Sequence, residues 1–218
     1  DTEEKAIYDF YDKDRIGKID LLISCGDLSA NYLDFLQTMT NATLLYVRGN
    51  HDEAYDRKPP PGGISIDDKI YDYCGLRIMG LGGSMRYKPG PCMYTERQMA
   101  KRGMKLRSRA ELMNGFDILV THAPARGYGD MEDLPHQGFD AFNELLNRYK
   151  PRYMLHGHVH KQYGHFQRSR VHASGTVIIN ACGYYILELG EDEYPKRGKT
   201  GSFLYDMLIS MQDRRSGK

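Results

Sequence analysis

The chain has 218 residues, with 30 Lys and Arg against 29 Asp and Glu and a net charge of +1. That balance excludes a generally basic protein held to nucleic acid by charge alone. At 40% hydrophobic and 27% charged residues the chain is neither disordered nor fibrous.

Short apolar runs closed by small or polar turns recur along the sequence. Asp20–Ser24, Thr43–Val47, Asp117–Thr121 and Arg152–His156 read as buried strands. Tyr32, Leu33, Phe35, Leu36 and Met39 repeat at helical spacing, as do Phe139, Phe142, Leu145, Leu146 and Tyr149. Strand alternating with helix predicts an α/β fold. Ile64–Leu81, Thr176–Ile179 and Tyr184–Leu189 read as consecutive strands, so two packed sheets with helices outside are expected. Pro59–Gly63 is a stiff turn, and Gly80–Ser84 a tight turn after a strand, without nucleotide-binding spacing. Tyr94–Asn114 reads as a helix whose basic residues, Arg97 to Arg109, form a solvated face or a cap that attracts anions. Residues 1–189 are expected to form one domain, and the charged, Gly-punctuated 190–218 a surface hairpin or tail of it. No apolar run approaches the ~18 residues of a membrane helix. Cys25, Cys74, Cys92 and Cys182 lie far apart without a CxxC pair, which fits reduced thiols and a cytoplasmic location.

The strand ends carry the chemistry. Cys25-Gly26-Asp27, Arg48-Gly49-Asn50-His51-Asp52, His122-Ala123-Pro124 and Gly157-His158-Val159-His160 follow four of the predicted strands. Open α/β sheets place their ligands at such carboxyl ends. Carboxylate, carboxamide and imidazole together suit Mn²⁺, Fe or Zn²⁺, whereas an all-oxygen set suits Ca²⁺ or Mg²⁺. His158 and His160, two apart, share one side of an extended segment and would diverge by about 200° on a helix.

Gly26-Asp27, Gly49-Asn50-His51, His122 and Gly157-His158-Val159-His160 stand in an order that resembles the calcineurin-like metallophosphoesterases, whose pattern is D-x-H, GD, GN(H/D), H and GHxH. The resemblance runs from Asp1 to His160. It implies a four-layer αββα sandwich of two mixed β-sheets flanked by helices. It further implies two divalent metal ions, Mn²⁺ first, with Fe, Zn²⁺ or Ni²⁺ as alternatives. Asp27 would bridge them, Asp1 and His160 would complete one site, and Asn50, His122 and His158 the other. A hydroxide between the ions would attack phosphorus in line, and His51, oriented by Asp52, would stabilise the transition state or protonate the leaving oxygen. Because the family's first metal-binding Asp follows a strand, the numbered chain is expected to begin inside the domain, with a strand of about five or six residues upstream of Asp1.

The first motif departs from the family: Asp1-Thr2-Glu3 has Glu where the family has His. Glu3 is either a carboxylate ligand in place of imidazole or part of an ordinary acidic helix start. Arg86, Tyr87, Arg97 and His136 are expected substrate contacts, while His156, out of phase with the ligands, reads as a buried structural residue. His165 and His172 read as ordinary surface or sheet residues. The protein phosphatases of this superfamily carry GDxxDRG, whose Arg grips phosphate; here the stretch is Gly26-Asp27-Leu28-Ser29-Ala30-Asn31, which disfavours that activity. A small phosphate ester, diester before monoester, is the expected substrate, with no membrane partner and no strong nucleic-acid signal. A nuclease of the same superfamily and a non-catalytic scaffold of the same fold are the alternatives.

Overall fold

The computed structural model describes residues 1–10, 12, 16–161, 166–190 and 192–215. In chain order its elements are α1 (Lys5–Tyr8), β1 (Leu21–Ser24), α2 (Ala30–Thr40), β2 (Thr43–Tyr46), β3 (Ile64–Ser65), β4 (Lys69–Tyr73), β5 (Leu76–Leu81), β6 (Ser84–Met85), β7 (Met93–Tyr94), α3 (Glu96–Leu112), β8 (Ile118–Thr121), α4 (Asp140–Tyr149), β9 (Tyr153–His156), β10 (Ser169–Val171), β11 (Val177–Asn180) and α5 (Phe203–Arg215). Short 3-10 turns lie at Asp52–Asp56 and Leu134–His136.

A small sheet, β1-β2-β3, is parallel in both its pairings. The larger sheet, in order β10-β11-β9-β8-β5-β4, is mixed: its four central strands run parallel and both edges antiparallel. Alternation along each strand decides which layer a side chain joins. Ile118, Val120 and Leu155 turn toward the small sheet and pack with Leu45, Val47 and Ile66. Leu119 and Met154, one residue out of phase, turn the other way, onto Leu106 of α3, Phe142 and Leu146 of α4, and Tyr205 and Ile209 of α5. On the outer face of the small sheet, Leu33 of α2 packs on Leu44, Tyr46 and Tyr55. The layers are therefore helix, sheet, sheet, helix.

Helix ends follow local chemistry. Ser29 caps α2 by accepting the Tyr32 N–H at 3.2 Å, and Thr95 and Gln98 form a reciprocal capping box at α3. One expected strand is absent, and two other segments are specified more closely. Tyr184–Leu189 is not a strand: Leu187 and Leu189 pack against the inter-sheet core while Tyr184, Tyr185 and Ile186 face solvent. Part of the expected hairpin or tail, Phe203–Arg215, is a helix seated on the core through Tyr205 and Ile209. The α3 face is not a cap over the strand ends, because Met99, Leu106 and Ala110 bind it to the large sheet. One of its basic residues, Arg102, is buried: it lies 4.1 Å from the Tyr94 ring and bonds Asp68 and the Gly82 carbonyl. No helix among the described residues is long and apolar enough to cross a membrane.

Candidate metal centre

Four strand ends, two from each sheet, converge. β1 leads into Gly26 and Asp27, both at positive φ (93° and 56°), which turns the Asp27 carboxylate back over the strand ends. β2 leads into Gly49-Asn50-His51. β8 delivers His122, and β9 delivers His158, itself at φ 65°. One donor atom from each of Asp27, His122 and His158 lies within 4.8 Å of the others. Asn50 Oδ1 and Asp27 Oδ2 are 3.0 Å and 3.3 Å from His122 Nε2.

The proton positions follow from the far side of each ring. His122 Nδ1 is 2.8 Å from the Cys25 carbonyl, and His158 Nε2 is 2.8 Å from the Pro135 carbonyl. A carbonyl only accepts, so each of these nitrogens carries the proton and each ring turns its other nitrogen, with its lone pair, inward. Two imidazoles, a carboxylate and a carboxamide thus aim lone pairs at one place. A single proton cannot serve four such donors; a divalent cation can, and imidazoles anchored to backbone carbonyls are the usual support for one. Burial holds His158 neutral, its pKa pushed down to about 3. Burial by itself would raise the Asp27 carboxyl, but in the metal-free chain a proton shared with His122 Nε2, which a bound cation would displace, and the bond from the His51 N–H outweigh it and hold the group well below the usual carboxylate range.

Asp1 and His160 form a second pair beside this cluster. Asp1 Oδ2 lies 3.0 Å from His160 Nε2, yet it is buried without a hydrogen-bond partner. An orphaned carboxylate oxygen next to an imidazole also fits a cation.

Glu3 is not brought to either group. Its exposed carboxylate accepts bonds from the Ser29 N–H at 3.2 Å and the Ser29 hydroxyl at 2.5 Å, at the start of α2. Helix N-termini favour an anion there, and this is the physical reason Glu3 sits at Ser29, as the alternative reading of an acidic helix start had it. Asp52 acts on the backbone. Its buried Oδ2 accepts the backbone N–H groups of Asp27 and Gly49, at 2.8 Å and 2.7 Å, and so ties together the two loops that carry Asp27 and Asn50.

His51 lies exposed beside a cleft of about 370 Å³, lined by Leu28, Ser29, Asn31, Tyr55 and Lys58 among others. Lys58 donates to Asn31 Oδ1 at 3.2 Å. Neither Lys58 nor Tyr55 was singled out from the sequence; their signal is that both sit in the turn following the Gly49-Asn50-His51 motif. His136 does approach the cluster. Its ring centroid is 5.2 Å from that of His158, and its Nδ1 is 2.6 Å from Asp133 Oδ2. Arg86 is exposed and bonds the Met93 carbonyl. Tyr87 lies beneath Lys88, and Arg97 is exposed in the first turn of α3, so the structure places none of these three among the donors. His156 is buried with its Nδ1 facing the Gly157 carbonyl. His172 is buried as well, with its ring against Tyr128, and His165 lies outside the described residues.

The pattern of the calcineurin-like phosphoesterases matches residues 4–162. The chain belongs to that family. Proteins of that family are phosphoesterases that typically bind divalent metals. Among similar proteins, one UPF0046 protein of Caenorhabditis elegans is 30% identical over 123 residues, 53% of this chain and 39% of that protein. Another from the same organism is 28% identical over 185 residues, 75% of this chain and 62% of that protein. The chain therefore spans less than two thirds of the length of either relative. A solved crystal structure superposes with a TM-score of 0.50 at 16% identity, covering 70% of this chain and 63% of that one, a likeness of fold.

Proposed function

We propose that this phosphoesterase hydrolyses phosphodiesters of small molecules or nucleotides, with Mn²⁺ as its first metal and Fe, Zn²⁺ or Ni²⁺ as substitutes. The observation that carries the reading is the convergence of Asp27, Asn50, His122 and His158 with both imidazole protons anchored outward. These residues would hold one ion, and Asp1 and His160 a second; mixed oxygen and nitrogen donors suit Mn²⁺, Fe and Zn²⁺. Bound ions would polarise the phosphoryl oxygens and offset their charge.

The chain's own groups do the rest. Asp52 fixes the backbone on both sides of the cluster, so Asp27 and Asn50 are set before substrate arrives. The His51 N–H is tied to Asp27 Oδ1 at 2.8 Å, which orients the residue at the mouth of the cleft. From there a ring nitrogen would give its proton to the departing ester oxygen. The cleft beside His51 would receive the leaving alcohol. Its size favours a diester, and among the described residues that line it there is no buried cation of the kind that grips a dianionic monoester in the protein phosphatases.

The test is turnover of bis(p-nitrophenyl) phosphate and p-nitrophenyl phosphate by Mn²⁺-loaded protein. Faster diester cleavage is expected, and Asp27→Asn should lower it by about 100-fold or more through loss of a metal ligand. If Mn²⁺-loaded protein turned over neither ester, the enzyme reading would fail in favour of a non-catalytic scaffold.

A further inference from the structure

The donors divide unequally, and the reason lies in α2. We infer that the centre fills in two steps: tightly at Asp27, Asn50, His122 and His158, and weakly at Asp1 and His160. The inference rests on the metal-centre reading above and concerns the relative affinity of its halves.

The first group has four side chains from four loops, and its central ring, His122, is fully buried. The second has Asp1, also buried, and His160, whose side chain is 28% exposed. Glu3 stands two residues from Asp1 in the chain. It is engaged elsewhere: Ser29 offers it both an N–H and a hydroxyl. The same Ser29 hydroxyl oxygen accepts the Tyr32 N–H, so releasing Glu3 would also disturb the cap of α2. Moving Glu3 to the second position would thus forfeit two hydrogen bonds to a charged group and the favourable helix dipole. With fewer donors among the described residues and a more exposed imidazole, an ion there would keep more water and leave more readily. Asp27, which neighbours both groups, can be shared, but sharing lowers its charge toward each ion.

The experiment is a Mn²⁺ titration of the metal-free full chain by calorimetry, with free Mn²⁺ followed by electron paramagnetic resonance. Two steps are expected, the second weaker by about tenfold or more, the scale on which supporting donors change metal affinity. His160→Ala should remove the second step and leave the first. Glu3→Gln should leave both affinities within about twofold, because Glu3 holds no ion, while Glu3→His should tighten only the second step by about tenfold. Glu3 is exposed, and circular dichroism would verify that both variants fold. Two equal ions in the unmodified chain, or a tenfold weaker second step in Glu3→Gln, would overturn the inference, as would a chain that binds no Mn²⁺. Diester turnover measured on the same samples separates the two readings: two-step binding without turnover would sink the phosphodiesterase and leave the unequal centre standing.

Discussion

Gly49 passes between two of the metal-centre side chains. A Cβ at that position would run into the Asp27 carboxylate and come within 2.7 Å of His122 Cε1. Gly49→Ala is therefore expected to push both donors aside. Overpacking of this kind costs about 1–3 kcal/mol, and Mn²⁺ affinity should fall by about tenfold, as when donor support is lost. Calorimetric titration and thermal melting would register the two effects. Lys58 predicts a smaller and different signature. It is an exposed cation at the edge of the cleft, so Lys58→Ala should raise the diester KM by only about two- to threefold and leave kcat unchanged, with the difference vanishing in ~1 M salt. An unchanged KM at low salt would remove Lys58 from the substrate path. At this scale the sequence was most legible where the backbone itself demands a residue, as at Gly26 and Gly49. It was least legible for Glu3, because motif position says where a side chain starts and not which partner it takes.

Among the elements, α3 is fixed at its carboxyl end by a residue from the neighbouring sheet. Arg77 of β5 donates to the Met113 and Asn114 carbonyls, both at 2.7 Å, and forks onto Asp117 at the start of β8. The Arg77 and Asp117 side chains are only 8% and 12% exposed. Arg77→Met strands a desolvated carboxylate and should cost about 3–5 kcal/mol, whereas adding Asp117→Leu should recover much of the loss. Urea midpoints of the single and double variants would measure both. An unchanged midpoint in the single variant would show that water reaches Asp117. The strands feeding the metal centre were legible as short apolar runs and α2 and α4 from their periodicity, while α3 was legible as a helix around its basic cluster. Tyr184–Leu189 misled because its apolar content serves packing without a partner strand. The C-terminal helix α5 was missed because its apolar residues lie all round: Phe203, Leu204, Met207, Leu208 and Met211 remain exposed while Tyr205 and Ile209 are buried, so no single stripe marked its face.

For the molecule as a whole, acid is the weak side. Burial pushes the His156 pKa down to about 4, against 6.5 for the free side chain. The unfolded chain therefore takes up a proton below pH 6.5 that the folded chain refuses. The associated stability is fully present above pH 6.5 and is lost as pH falls toward 4, amounting to about 2 kcal/mol by pH 5. Urea unfolding of metal-free protein at pH 7.5 and 5.0 should show that loss, and His156→Gln should reduce it. A variant as acid-sensitive as the unmodified chain would assign the effect to other groups. The layered architecture was legible at this scale from alternating strands and helices together with the ordered motifs. The division of the strands between a three-stranded and a six-stranded sheet was not, because pairing partners far apart in sequence leave no local mark.

The four strand ends come two from each sheet, and the His122 bond to the Cys25 carbonyl crosses from one to the other. An ion held there acts as a rivet through both layers. Sliding one sheet over the other then means tearing metal bonds as well as parting Val47 and Ile66 from Ile78 and Val120. Mass action would then make the fold's resistance to denaturation a function of free metal: at 100 times the dissociation constant the gain is about 2.7 kcal/mol. Withdrawing such an ion would loosen a fastener between the two sheets.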